Sequence, residues 1–217
     1  MNDFCLDRDL LALEPSVFLG TALAGQNLLA GTDGAIEVTT FSSESSDFQA
    51  AGVESGGVLC VYTTTPSEGL AVEIVSVDSA TELTISVLRP DSLGTPTPPP
   101  PGDKLRFHIR TYKPQIRCLS ESLAEKLRSM AEVHAVGTAD FADSAQLRIA
   151  TAHGALSAIF VARAENAADN DANWIKAQFY RSEFARLQSQ LRLAVDADGD
   201  GVAERTRTLG NVNLRRL

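Results

Sequence analysis

LAVEIVSVDSATELTISVL, residues 70–88, decides how the first half of the chain folds. Leu70–Val77 and Leu83–Leu88 are runs of β-branched and aliphatic residues. Between them lies the polar turn DSATE, so the stretch predicts a β-hairpin. Working outward, Val58–Thr63 (VLCVYT) is β-branched and aromatic, and the stretch around Ile36–Phe41 alternates weakly. Downstream, Lys104–Thr111 (KLRFHIRT) alternates cleanly, with Leu105, Phe107 and Ile109 on one side. Five short strands at this spacing predict a small antiparallel barrel or sandwich spanning 16–112. Residues 16–31 (SVFLGTALAGQNLLAG) are apolar and interrupted by glycines, and their pattern assigns no element.

Upstream, 1–15 reads as an N-terminal segment with one short helix over 7–14, Asp7 as its N-cap and Pro15 as its stop. Gly94–Gly102 (GTPTPPPPG) can form neither helix nor central strand. It is a stiff polyproline-like loop, or a docking arm for a neighbouring subunit.

At Pro114 the period changes from two to that of a helix. Ile116, Leu119, Leu123, Leu127, Met130 and Val133 form one apolar face, and Gly137 ends the helix. A second helix, capped by Thr138 or Asp140, runs to about Arg163 with Phe141, Ala145, Ile149, Ala152, Leu156, Ile159 and Phe160 inward. Its alanines allow close approach, which makes it the expected central helix. A third, from about Asn173 to Val195, faces inward with Trp174, Ala177, Tyr180, Phe184, Leu187 and Leu191. Lys176, Arg181, Glu183, Arg186 and Arg192 form its solvated side. The expected fold class is therefore α+β, with a β module followed by an antiparallel helical bundle over 113–195. An extended C-terminal arm over 196–217 completes it.

The net charge of −9 is divided unevenly. Residues 1–112 carry 15 acids and 5 bases, and residues 113–217 carry 13 acids and 14 bases. An acidic module of this kind does not bind nucleic acid by neutralising phosphates. The three cysteines, Cys5, Cys60 and Cys118, are widely spaced and odd in number, so they predict reduced thiols and no disulfide framework. The N-terminal residues MNDFCLDRDLLALEP have no basic region followed by an apolar core, so no signal peptide is expected. No apolar run reaches the ~20 residues that span a bilayer.

Few motifs carry chemistry. Asp196, Asp198, Asp200 and Gly201 match the opening of an EF-hand loop, and Glu204 stands at its ninth position. The twelfth position, which should hold a bidentate glutamate, is Arg207. The alternative is a helix-stopping turn, and no metal is assigned. His108, His134 and His153 have no ligand-spaced partner and read as surface or capping residues. No nucleophile elbow, P-loop or dinucleotide fingerprint is present, and neither enzyme activity nor a cofactor is expected. The tail carries Arg205, Arg207, Leu214, Arg215, Arg216 and Leu217, basic and apolar with no core of its own, and reads as an arm that orders on a partner, with plain fraying of the chain end as the alternative.

Two segments carry a resemblance. Asp47, Phe48, Gly52, Val53, Gly57 and Val58, followed by the hairpin over 72–88, resemble small β modules in neck and tail proteins of tailed bacteriophages. Lys176, Ala177, Tyr180, Arg181 and Phe184, then Leu187 through Gly201 and the closing Leu214-Arg215-Arg216, are similar to the last helix and tail of head–tail connector (adaptor) proteins. The β insertion departs from the purely helical adaptors. The resemblance implies a virion structural protein made in the host bacterial cytoplasm. It would form a homo-oligomeric ring, usually of twelve copies, that joins portal to tail, with the C-terminal arm on the portal and DNA passing through without tight binding. Another tail or baseplate structural protein, or a calcium-dependent adhesion or scaffold module using the three aspartates, is the alternative.

Overall fold

The computed structural model describes residues 3–20, 25–62, 69–131, 145–165, 171–195 and 205–208. The chain is α+β and divides into two compact units. One comprises Leu6–Lys113, the other Pro114 onward together with the N-terminal segment through Cys5.

The first unit holds helices α1 (Asp7–Leu13) and α2 (Ser16–Leu19) and strands β1 (Asn27–Glu37), β2 (Thr40–Ser42), β3 (Val58–Tyr62), β4 (Gly69–Val77), β5 (Glu82–Ser86) and β6 (Gly102–Arg110). The strands close into an antiparallel barrel in the order β1-β2-β5-β4-β3-β6. Closure decides between the barrel and the sandwich. The 70–88 hairpin is β4–β5, with Ile74 opposite Ile85 and Val77 opposite Leu83. Inward residues follow the alternation of each strand: Leu59 and Val61, Val72 and Ile74, Leu83 and Ile85, Phe107 and Ile109. Phe41, Phe48 and Ile36 complete this core, and the Phe41 and Phe107 rings meet edge-on at 4.9 Å.

The sixth strand, β1, draws its first five residues from the segment whose pattern assigned nothing. Its glycines are there because aromatic rings lie on the strand. A Cβ at Gly31 would stand 2.5 Å from the Phe107 ring, and one at Gly34 would stand 2.8 Å from the Phe41 ring. Three irregularities in its pairing with β6 bend β1, which lets so few strands close. The expected strand over Ile36–Phe41 is two strand ends joined by a tight turn, with Val38 at φ 54°.

α1 and α2 cover part of the outer wall, so β3 is buried on both faces. Tyr112, just past β6, fastens them. Its hydroxyl donates to Val17 O at 2.8 Å, and its ring meets Phe18 at 5.3 Å. Its backbone N–H donates to the Asp7 carboxylate at 2.8 Å. Asp7 is thus a buried anchor and not the expected N-cap. Leu6 holds the cap position, with its N–H on Asp9. The proline-rich loop is tied down by a bridge between Val87 and Thr97, and its Pro99 is buried.

The second unit contains α3 (Lys113–Ala131), which begins in the first unit's last residue, α4 (Ala145–Arg163), α5 (Ala172–Gln190) and the short strands β7 (Arg192–Val195) and β8 (Arg205–Thr208). Pro114 sits in the first turn of α3, where its missing N–H costs nothing. α4 is buried over most of its circumference, as a central helix should be. Ala145 and Ile149 are exceptions and point outward, with Leu147 and Ala150 taking the inward positions. α4 and α5 run antiparallel: Asn173 Nδ2 at the start of α5 donates to Arg163 O at the end of α4 at 3.4 Å, and farther back along α4 the Phe160 and Tyr180 rings stack at 5.8 Å. A Cβ at Gly154 would meet both Leu119 of α3 and Phe184 of α5, at 3.0 and 3.2 Å. Phe4 joins this unit's core with Leu123, Leu127, Leu147 and Leu191. α5 starts on Asp171, whose carboxylate accepts from Asn173 and Trp174 N–H. It stops at Gln190, five residues short of the expected Val195, because Leu191 turns to ψ 123° and the next four residues pair as a strand.

Candidate functional site

The tail residues expected to dock a partner divide in two. Arg205 and Arg207 lie on β8, opposite Val195 and Leu193 of β7. Residues 205–208 of the arm expected over 196–217 are therefore one strand of a two-stranded ribbon, paired along one edge with their own chain. Leu214, Arg215, Arg216 and Leu217 lie outside the described residues, as do the candidate ion ligands Asp196, Asp198 and Asp200 and the helix-ending Gly137. His134 is also outside them. His153 has its Nδ1 at 2.9 Å from Ile149 O, an ordinary contact within one helix.

Several large apolar side chains among the described residues point outward, Val38 on the β1–β2 turn among them. On α5, Ile175 is 54% and Phe179 56% exposed, one helical turn apart. On the loop that leads into the prolines, Leu93 is 92% exposed.

The outer wall of the barrel holds two groups of charged residues. The first is sealed. Glu73 points outward from β4 by alternation, yet its side chain is fully buried under α1. Arg8 Nε donates to Glu73 Oε2 at 2.6 Å, and Arg89 Nε donates to Oε1. The guanidinium groups also hold backbone, Arg8 on Arg89 O at 2.8 Å and Arg89 on Gly94 O at 2.5 Å. One carboxylate thus fixes α1 and the base of the proline-rich loop to the barrel.

The second group lies on β6. Leu105, Phe107 and Ile109 face one way, so Lys104, Arg106, His108 and Arg110 share the other side. The last three line an open cleft of about 750 Å³, with Tyr62, Asn27 and Gly20 among its other walls. Arg110 is only 8% exposed. Its Nε donates to Asn27 Oδ1 at 3.0 Å, and its Nη1 donates to Phe18 O at 2.6 Å and to Gly20 O. It therefore caps the carbonyl end of α2. His108 Nε2 lies 3.2 Å from Phe18 O and 3.4 Å from the Tyr62 hydroxyl, so the ring is a buried hydrogen-bonding group and not the expected surface histidine. Burial lowers its pKa to about 4, helped by the neighbouring Arg110 and Arg106 charges and opposed by the Phe18 carbonyl. It is neutral at pH 7. The adjacent Cys60 thiol is pushed up to about 12 by burial and is inert. Arg106 is exposed, its guanidinium 5.0 Å from the centre of the Tyr62 ring.

This cleft is not among the sites expected from the sequence. The signal was the opposite phase of KLRFHIR: the positions between the core residues are all basic or histidine, and they hold three of the five bases in residues 1–112.

Among the described residues no group of His, Cys, Asp and Glu is arranged to hold a metal ion, and no helix is long and apolar enough to cross a membrane. Compared with protein families, curated proteins and solved structures, the chain matches none.

Proposed function

We propose that the chain is a structural subunit of a tailed-bacteriophage head–tail connector, a ring that joins portal to tail and leaves a channel for the genome. The observation that carries the reading is the outer face of α5, where Ile175 and Phe179 stand more than half exposed on a helix whose opposite side is packed. Paired apolar side chains at helical spacing on an outer face fit burial in an interface between subunits. The resemblance of 176–184 to the last helix of connector proteins falls on this same element. In a ring of identical subunits such a face packs on a different face of the neighbour, so the contact propagates and closes. The net −10 of residues 1–112 suits a wall that DNA passes without sticking.

The test is native mass spectrometry of the full chain with a purified portal ring, beside a double variant carrying Ile175→Asp and Phe179→Asp. The expected result is a ring-sized complex with the natural chain and its loss in the variant, whose circular dichroism stays unchanged because both positions are exposed. A chain that stays monomeric at every concentration and ignores the portal overturns the reading.

A further inference from the structure

Arg110 is a buried cation whose protein partners carry no charge. More than nine-tenths of it is withdrawn from water, and its hydrogen bonds go to two backbone carbonyls and one amide oxygen. Dipoles solvate a guanidinium in part, but a buried charge without a counter-charge is costly. The contrast within the same barrel is direct: Arg8 and Arg89, equally buried, share Glu73, and Lys113 is paired with Glu54. Neither Arg106 nor Arg110 has a carboxylate partner among the described residues, in a module where acids outnumber bases three to one. Arg110 Nη2 makes no hydrogen bond among the described residues, and Arg110 lines the open cleft. Arg106 lines it too, against the Tyr62 ring, and its guanidinium makes no hydrogen bond among the described residues.

We propose that this cleft is a binding site for carboxylate groups, with Arg106 and Arg110 as the charged ligands and Tyr62 as the platform that orients Arg106. The two arginines are four residues apart on one strand, roughly 13 Å between α-carbons, and both line the cleft. A small dicarboxylate therefore fits the spacing better than a lone acetate. A long polyanion does not fit, because beyond the cleft it meets the acidic remainder of the barrel, whereas a compact acid feels mainly the local positive field within a Debye length of about 10 Å. The carboxylate comes either from a free small acid or from an Asp or Glu side chain of a second copy of this chain. The site stands independently of the connector reading.

The experiment is NMR of the full chain labelled with ¹⁵N, following the arginine Nε–H and His108 ring signals. One arm titrates succinate into dilute protein against sodium chloride of equal ionic strength. The other raises protein concentration without added acid. Saturable shifts of the Arg106 and Arg110 signals with succinate alone assign the site to a free acid. The same shifts on concentration, reversed by succinate, assign it to a second copy. In either case Arg106→Ala weakens the response at least about tenfold, and Arg106→Lys recovers part of it. Arg106 is exposed, so both variants fold. Shifts that chloride reproduces, shifts unchanged in Arg106→Ala, or no response in either arm overturn the proposal.

Discussion

Arg8 and Arg89 close on one buried carboxylate, whereas Arg106 and Arg110, on another part of the same barrel wall, share a cleft that supplies no carboxylate among the described residues. The two pairs use the same side chain for opposite ends. Around Glu73 each guanidinium has an ion-pair partner within the fold, two cations sharing one carboxylate, so the group works as a fastening for α1 and the loop. On β6 one guanidinium holds the end of α2 and the other is left without an ion pair. Charge that is matched internally stabilises; charge that is left over is available for a ligand.

Substitutions can break this contrast, beginning with the largest effect. Glu73→Ala leaves two buried guanidinium groups without a counter-charge. It should lower the unfolding free energy by about 3–5 kcal/mol in urea titration. A loss below about 1 kcal/mol would mean that α1 shifts to let water in. Arg110→Met removes a buried charge that no carboxylate balances but orphans the Phe18 and Gly20 carbonyls. The expected loss is smaller, about 1–2 kcal/mol.

Acid sharpens the same contrast. The folded pKa of His108, about 4, lies below its ordinary value of 6.5. Between those values the unfolded chain binds the proton and the folded chain does not. The contribution is fully present above pH 6.5, is lost as pH falls toward 4, and falls no further below that. Asp33 follows at lower pH. Its carboxyl is held at about 2, chiefly by the Ser45 backbone N–H and the Ser43 hydroxyl, so its contribution fades between 3.8 and 2. His108→Gln should flatten the slope above pH 4 and leave the one below it. Arg106→Ala should have the smallest effect on stability, within about 0.5 kcal/mol, because the side chain is exposed. Stability left intact together with lost carboxylate binding is the signature of a residue kept for a ligand.

Local residue pattern, with β-branched, aliphatic and aromatic runs for β3, β4 and β5 and alternation for β6, made those four strands legible. It failed at β1, where Gly31 and Gly34 stand in place of core side chains and the filling comes from Phe107 and Phe41 of other strands. Only a folded barrel explains those glycines. Glu73 shows a second limit. Alternation correctly turns it outward, but Arg8, which makes outward mean buried, is 65 residues away in sequence. On α5 the packed face was readable from its spacing, while Ile175 and Phe179, on the polar side, escaped a reading built on charges. The β6 cleft could have been found, since the phase of Leu105, Phe107 and Ile109 fixes that of Arg106, His108 and Arg110.

The most direct test of the contrast is the unfolding free energy of the natural chain, Arg106→Ala and Glu73→Ala at pH 7, each with and without 50-fold excess succinate over its dissociation constant at fixed ionic strength. A ligand of the folded state alone adds about 2.3 kcal/mol at that excess. The account predicts this gain in the natural chain and in Glu73→Ala, whose β6 cleft is intact, and at most a small fraction of it in Arg106→Ala. No gain in the natural chain, or an equal gain in Arg106→Ala, would contradict it.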